Sequence, residues 1–166
     1  MNKTYQQFLK ENSGKTAVYT FGRFNPPTIG HEKLLRVIQT TSSNEGGDYF
    51  IYTSHSQDSK KNPLTHKQTI HFLKLIFPKH RPYVEDSLAK TALHAASDIY
   101  DKGGYTKLMM VVGSDRVRDF SALLNRYNDS KSKHGYYNFD SIEVISAGER
   151  DPDAEGAEGM SASKMR

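Results

Sequence analysis

Apolar residues are spaced along this chain in two alternating rhythms. Compact runs over 17–21, 48–53, 108–112 and 142–145, with a brief one at 83–84, are rich in β-branched and aromatic residues and stop at glycine or polar positions, as buried strands do. Between them apolar residues recur with a period of about 3.6, the signature of one buried helix face. His31, Leu34, Leu35 and Ile38 make the first such face, and Ile70, Leu73, Ile76 and Phe77 the second. Leu88, Ala92, Leu93, Ala96 and Ile99 predict a third helix, and Val117, Phe120 and Leu124 a fourth. Punctuation agrees with the rhythm: Gly22 ends the first strand, 44–47 is a turn cluster, Thr65 and Gln68 have capping-box spacing, Pro78 stops a helix and Gly103-Gly104 another. Residues 1–15 predict a short leading helix, 125–140 a polar connection, and 148–160, with Glu149, Asp151, Asp153, Glu155 and Glu158, a mobile acidic loop. Alternating strands and helices imply an α/β, Rossmann-like, doubly wound parallel sheet of five strands, with helices on both faces, in a single domain.

Composition narrows the setting. The 166 residues suit one domain, and with no cysteine neither disulfides nor thiolate metal sites hold it, so a reducing, cytoplasmic setting is expected. No apolar run approaches the roughly 20 residues of a membrane span, and the N-terminus lacks the apolar stretch of a signal peptide. The net charge of +4 suits either nucleic acid or a small polyanion. Lys60, Lys61, Lys79, Arg81, Arg116 and Arg126 are scattered rather than clustered with aromatics, which favours the polyanion over nucleic acid.

In such a sheet, ligands bind beyond the carboxyl ends of the strands, where strand order reverses. The segment after the first strand, Gly22-Arg23-Phe24-Asn25-Pro26-Pro27-Thr28-Ile29-Gly30-His31, holds neither a Walker A nor a G-x-G-x-x-G pattern. Gly22 lets the backbone approach a ligand, the prolines stiffen the loop, and Gly30 with His31 opens a helix whose amides attract phosphate. Alone, His31 reads as a core histidine on a helix face; together with Thr28 and a distant Ser161-x-Ser163-x-x-Arg166 it reads as a nucleotide site. Arg23 faces the same crevice with a fork that matches phosphate. Gly113-Ser114-Asp115-Arg116 follows the strongest strand and is a second ligand turn. Asn62 and Thr65 bracket a segment readable either as loop and helix cap or as acceptor recognition.

The Thr28-Ile29-Gly30-His31 sequence resembles the (H/T)-x-G-H motif of the nucleotidyltransferase superfamily, which includes nicotinamide mononucleotide adenylyltransferases, phosphopantetheine adenylyltransferases and cytidylyltransferases. The 160–166 ending is similar to that superfamily's I-S-x-T-x-x-R signature, with Met160 for isoleucine and Ser163 for threonine. The resemblance implies transfer of a nucleotidyl group from a nucleoside triphosphate, ATP favoured and CTP open, to a phosphate-bearing small-molecule acceptor, with release of pyrophosphate. It implies that His31 and Thr28 work at the α-phosphate, that Ser161 and Ser163 hold the outer phosphates, and that Arg166 with Lys164 neutralises developing charge. Gly22, Arg23, Phe24, Asn25 and Gly30 would line the nucleotide, and Asn62, Thr65, Gly113, Asp115 and Arg116 the acceptor. Mg²⁺ would ride mainly on triphosphate oxygens and water, so no protein carboxylate cluster is expected.

The sequence ends at Arg166, directly after the signature, so a longer chain or a homo-oligomer is expected to complete the site. A non-catalytic nucleotide-binding or assembly module on the same fold stays open, because fold does not fix function. A class I aminoacyl-tRNA synthetase fragment, echoed by Thr-Ile-Gly-His and Met-Ser-Ala-Ser-Lys, needs insertions for which 166 residues leave no room.

Overall fold

A computed structural model describes residues 14–24, 27–55, 64–87, 89–133 and 135–148. The expected leading helix, all of the acidic loop beyond Gly148 and the 160–166 signature lie outside the described residues. The element order is β1 (Lys15–Gly22), α1 (His31–Glu45), β2 (Asp48–Thr53), α2 (His66–Ile76), a 3-10 helix (Pro78–Tyr83), α3 (Ala92–Lys102), β3 (Tyr105–Val112), a 3-10 turn (Ser114–Arg116), α4 (Val117–Arg126) and β4 (Ser141–Ser146). All strand pairs are parallel, in the order β2-β1-β3-β4. No described helix is long and apolar enough to cross a membrane.

Among the described residues the sheet has four strands where five were expected. Residues 83–84 do not form a strand, because Pro78 and Pro82 turn the approach into a 3-10 helix and Pro82 has no N–H for a ladder. What survives is a single parallel bridge from Val84 to Ile51, with the Glu85 amide donating to the Ile51 carbonyl at 2.8 Å. That bridge occupies the edge beside β2, where the missing strand of a doubly wound sheet would lie.

Strand alternation sends successive side chains to opposite faces, and each face finds its own helices. Val18, Tyr49, Ile51, Met109 and Val111 pack with Leu35 and Ile38 of α1 and Ile70 and Leu73 of α2. On the other face Ala17, Tyr19, Tyr52, Leu108 and Met110 pack with Leu93, Ala96 and Ile99 of α3 and Leu124 of α4. The buried tyrosines remain hydrogen-bonded, with Tyr19 donating to the Ala92 carbonyl at 3.0 Å and Tyr52 to Asp98 at 2.7 Å, so the sheet tethers α3.

Local signals explain the helix ends. The Thr65 hydroxyl accepts the Gln68 amide while the Gln68 side chain accepts the Thr65 amide, completing the expected capping box of α2. The third helix begins at Ala92, later than expected, because the Thr91 hydroxyl caps it by accepting the His94 amide at 3.0 Å. The connection 127–140 is less polar in effect than in composition. Tyr137 and Phe139 are each 2% exposed and plug the α4 side of the core, and Tyr137 donates to the Leu124 carbonyl at 2.6 Å.

α1 ends at Gly46, left-handed at φ 67°, and Gly47 then carries the chain into β2 against the backbone of β1. A Cβ on Gly47 would run into the Thr16 carbonyl oxygen. Gly47→Ala is therefore expected to destabilise the fold by about 1–3 kcal/mol or more, since the clash is with backbone that cannot rotate away. Urea unfolding of the variant beside the wild type checks this, and equal midpoints for the two would refute it.

Candidate functional site

The sheet splits at its carboxyl end. β1 stays paired with β2 as far as Gly22 opposite Thr53, and β3 with β4 as far as Val112 opposite Ser146. The central β1–β3 ladder stops earlier, at Tyr19 opposite Met110. The next link is a side chain, the Thr20 hydroxyl donating to the Val111 carbonyl at 3.0 Å. β1 leads to α1 on one face and β3 to α4 on the other, so the two connections diverge at the reversal of strand order, where doubly wound sheets form their ligand crevice.

The loop from Gly22 to His31 forms one wall. Phe24 holds the left-handed region at φ 45° and is 3% exposed, its ring edge-on to the His31 ring with centroids 4.8 Å apart. Such a backbone costs about 1–3 kcal/mol in a non-glycine residue, and burying a phenylalanine ring returns about 1.5–3 kcal/mol, so the packing can hold the strain. A Cβ on Gly22 would stand 3.0 Å from the Phe24 ring, so this glycine makes room for the phenylalanine to fold back. Phe24, expected to line the nucleotide, packs its ring against His31.

His31 is fixed by its own turn. The Thr28 backbone amide donates to His31 Nδ1 at 2.9 Å, and the Thr28 hydroxyl lies 3.3 Å from the same atom. A nitrogen that accepts an amide carries no proton, so the neutral ring holds its proton on Nε2 and acts there as a donor. The His31 amide donates to the Thr28 carbonyl at 3.0 Å and the Glu32 amide to the Ile29 carbonyl at 2.9 Å. The His31 and Glu32 amides are thus engaged in the turn, and the side chains of Thr28 and His31 add polar groups to this wall.

Across the split, Gly113 starts the turn after β3, closed by the Arg116 amide donating to the Gly113 carbonyl at 2.9 Å. Asp115 and Arg116 are exposed there, and the Arg116 guanidinium lies over the Phe120 ring at 5.0 Å. Arg23 is exposed just past β1. Thr65 uses its hydroxyl in the α2 cap, which favours the capping role among its two readings. Thr28, Gly30, His31, Gly113, Asp115 and Arg116 therefore stand on the carboxyl edge of neighbouring strands. Asn25, Asn62, Ser161, Ser163, Lys164 and Arg166 lie outside the described residues.

A histidine pair at the end of β2 was not foreseen. His55 and His66 stack with centroids 3.7 Å apart and planes 13° from parallel, pinning the two ends of the 56–65 segment. Thr53 Oγ1 lies 3.0 Å from His66 Nδ1, and His55 Nε2 lies 3.0 Å from the Ser87 carbonyl oxygen. The Ser54 amide ties this corner to the site by donating to the Gly22 carbonyl at 2.8 Å. Burial, and then the neighbouring His55, push the His66 pKa below its ordinary 6.5, so the Asp86 carboxylate 3.9 Å away faces a neutral ring at neutral pH. Isolated histidines flanking a polar loop give no periodic signal, which is why the sequence did not reveal them. Among the described residues no group of three or more His, Asp or Glu is placed to hold a metal ion.

Residues 19–166 match the family model described as cytidylyltransferase-like. No individual curated protein matches the chain.

The buried imidazoles make stability depend on pH. On the α2 face His80 is also lowered from 6.5 by burial, beside Tyr49, whose phenol is pushed up to about 12 and so stays protonated 2.9 Å from His80 Nδ1. Folded His66 and His80 resist protonation, so below 6.5 the unfolded chain binds more protons than the folded one. Stability is expected to hold above that pH and to fall as pH drops through and below it. Urea midpoints compared at about pH 7.5 and about pH 5.5 for the wild type and a His66→Gln, His80→Gln double variant test this, with a shallower decline expected in the variant. Equal declines would remove both histidines as the cause.

Proposed function

Because the chain belongs to the cytidylyltransferase-like family, we propose that it transfers a nucleoside monophosphate group from a nucleoside triphosphate to a phosphate-bearing small molecule. An acceptor phosphate oxygen attacks the α-phosphorus in line, the bond from that phosphorus to the β-phosphate oxygen breaks, and pyrophosphate leaves with the electron pair. The reaction requires no nucleophile from the protein, so positioning and charge stabilisation supply the rate. The observation that carries this reading is the Thr28 amide on His31 Nδ1 at 2.9 Å, which commits the ring to donate through Nε2. A neutral imidazole held in one tautomer beyond β1 is a preorganised donor for the charge that grows on the α-phosphate oxygens.

The turn from Gly113 to Arg116 supplies the opposite wall, where Asp115 suits a ribose hydroxyl or the acceptor and Arg116 a phosphate. Arg23 is a second cation at the mouth. Ser161, Ser163, Lys164 and Arg166 complete the phosphate site in this reading, on their resemblance to the superfamily's second signature. ATP is favoured over CTP because the Gly22-Arg23-Phe24 opening looks more like nicotinamide mononucleotide adenylyltransferases. Mg²⁺ would be held by triphosphate oxygens and water, screening charge on the departing pyrophosphate.

The test is pyrophosphate release from each of the four common nucleoside triphosphates with Mg²⁺ and a panel of phosphorylated acceptors. His31→Ala is expected to lower turnover about 10²- to 10³-fold, as for loss of one preorganised donor, while the protein stays folded by circular dichroism. A folded His31→Ala protein with undiminished release would return His31 to a purely structural role.

A further inference from the structure

Building on this nucleotidyl-transfer reading, we propose that Phe120 is a positioning residue, holding the Arg116 guanidinium at the rim of the site as a preorganised fork for the oxygens of a phosphate group. The Arg116 guanidinium lies over the Phe120 ring, 5.0 Å from its centroid. That ring is itself fixed. Val117, Phe120 and Leu124 make the inward face of α4, and Phe120 packs against the cluster that holds Leu124, Tyr137 and Phe139. Phe21, the residue before Gly22 on β1, packs against the same cluster. The backbone of Arg116 is fixed as well, by its amide donating to the Gly113 carbonyl at 2.9 Å.

The way a cation is held decides what it can still bind. An ion pair occupies the N–H donors of a guanidinium with a carboxylate and cancels its charge, as Glu32 does for Arg36 at 3.6 Å. Stacking uses only the face of the planar group, so the donors along its edge and its full charge stay available to an anion. Asp115 and Asp119 stand one and three residues away in the chain, yet among the described residues Arg116 forms no ion pair. The ring thus orders the side chain without neutralising it.

Location points to the ligand class. Two further described cations lie over rings, Lys102 over Phe50 at 5.4 Å and Arg126 over Tyr127 at 5.6 Å. They are the last residues of α3 and α4, where the negative end of a helix favours a cation. Arg116 instead immediately precedes α4, where the positive end of its own helix opposes it. A cation kept there gains from an anion that meets both the guanidinium and the helix end. The turn that carries it follows β3, across from the Thr28 and His31 wall, so in the transfer reading the anion reaching this rim is a phosphate.

The experiment is calorimetric titration of the full chain with two probes, inorganic pyrophosphate for the triphosphate end and ribose 5-phosphate for a phosphate-bearing acceptor. Wild type, Arg116→Met, Phe120→Leu and Phe120→Tyr are compared, with folding checked by circular dichroism and the Arg116 side chain followed by NMR. Arg116→Met is expected to weaken one probe about ten- to a hundredfold, as for a lost charged hydrogen bond, and the probe affected identifies which phosphate the fork takes. Phe120→Leu is expected to weaken that same probe about three- to tenfold with no change of charge, and Phe120→Tyr to restore wild-type affinity. The upfield ring-current shift of the Arg116 resonances should persist in Phe120→Tyr and vanish in Phe120→Leu. Wild-type affinity for both probes in Arg116→Met or in Phe120→Leu, equal losses in the two Phe120 variants, or no binding of either probe by wild type overturns the assignment. A chain whose variants behave as expected yet releases no pyrophosphate from any triphosphate keeps this positioning role and loses the transferase reading instead.

Discussion

The early end of the β1–β3 ladder is the constraint on which the rest of the site depends. Parallel strands can be joined only by long crossovers, and the crossovers from β1 and β3 leave on opposite faces of the sheet. Past Tyr19 and Met110 each strand follows its own helix, with the Thr20 hydroxyl still bonded to the Val111 carbonyl. The crevice therefore results from topology, and any polar groups on the two loops that follow are brought to its rims.

What those loops present is set by packing beneath them. Phe24 is driven into the core at the expense of a left-handed backbone, and the vacant Cβ position at Gly22 lets it do so. Its ring then limits how the His31 imidazole can lie, while the Thr28 amide decides which nitrogen bears the proton. A strained, buried residue behind a histidine of fixed tautomer is an arrangement that rigidifies a donor before any ligand arrives, and preorganisation of that kind is what charge-stabilising catalysis requires.

The far edge of the sheet is weaker in regular structure and richer in side-chain links. With only one bridge at Val84, the edge beside β2 relies on aromatic and imidazole contacts: Tyr49 stacks on Tyr83 at 4.1 Å and bonds His80, and Lys102 pairs with Glu85 at 3.0 Å. The stacked His55 and His66 extend this network to the carboxyl end, where it meets the loop after β1 through Ser54. Protonating those rings thus acts on the corner of the fold next to the crevice.

The sequence alone determined the features that depend on near neighbours. Alternating strand and helix periods, the capping box at Thr65, the glycine stop of α1 and the Thr28 to His31 turn were all legible, because each rests on hydrogen bonds or burial patterns spanning a few residues. Tertiary structure decided the rest. A valine beside a proline became one bridge rather than a strand, and two aromatics in a polar stretch became a core plug. Phe24 turned inward, and two histidines on either side of a loop stacked. These outcomes hinge on contacts between residues distant in sequence, chosen by which packing fills space and leaves each buried polar group partnered, and no local pattern of apolar and polar positions carries that information.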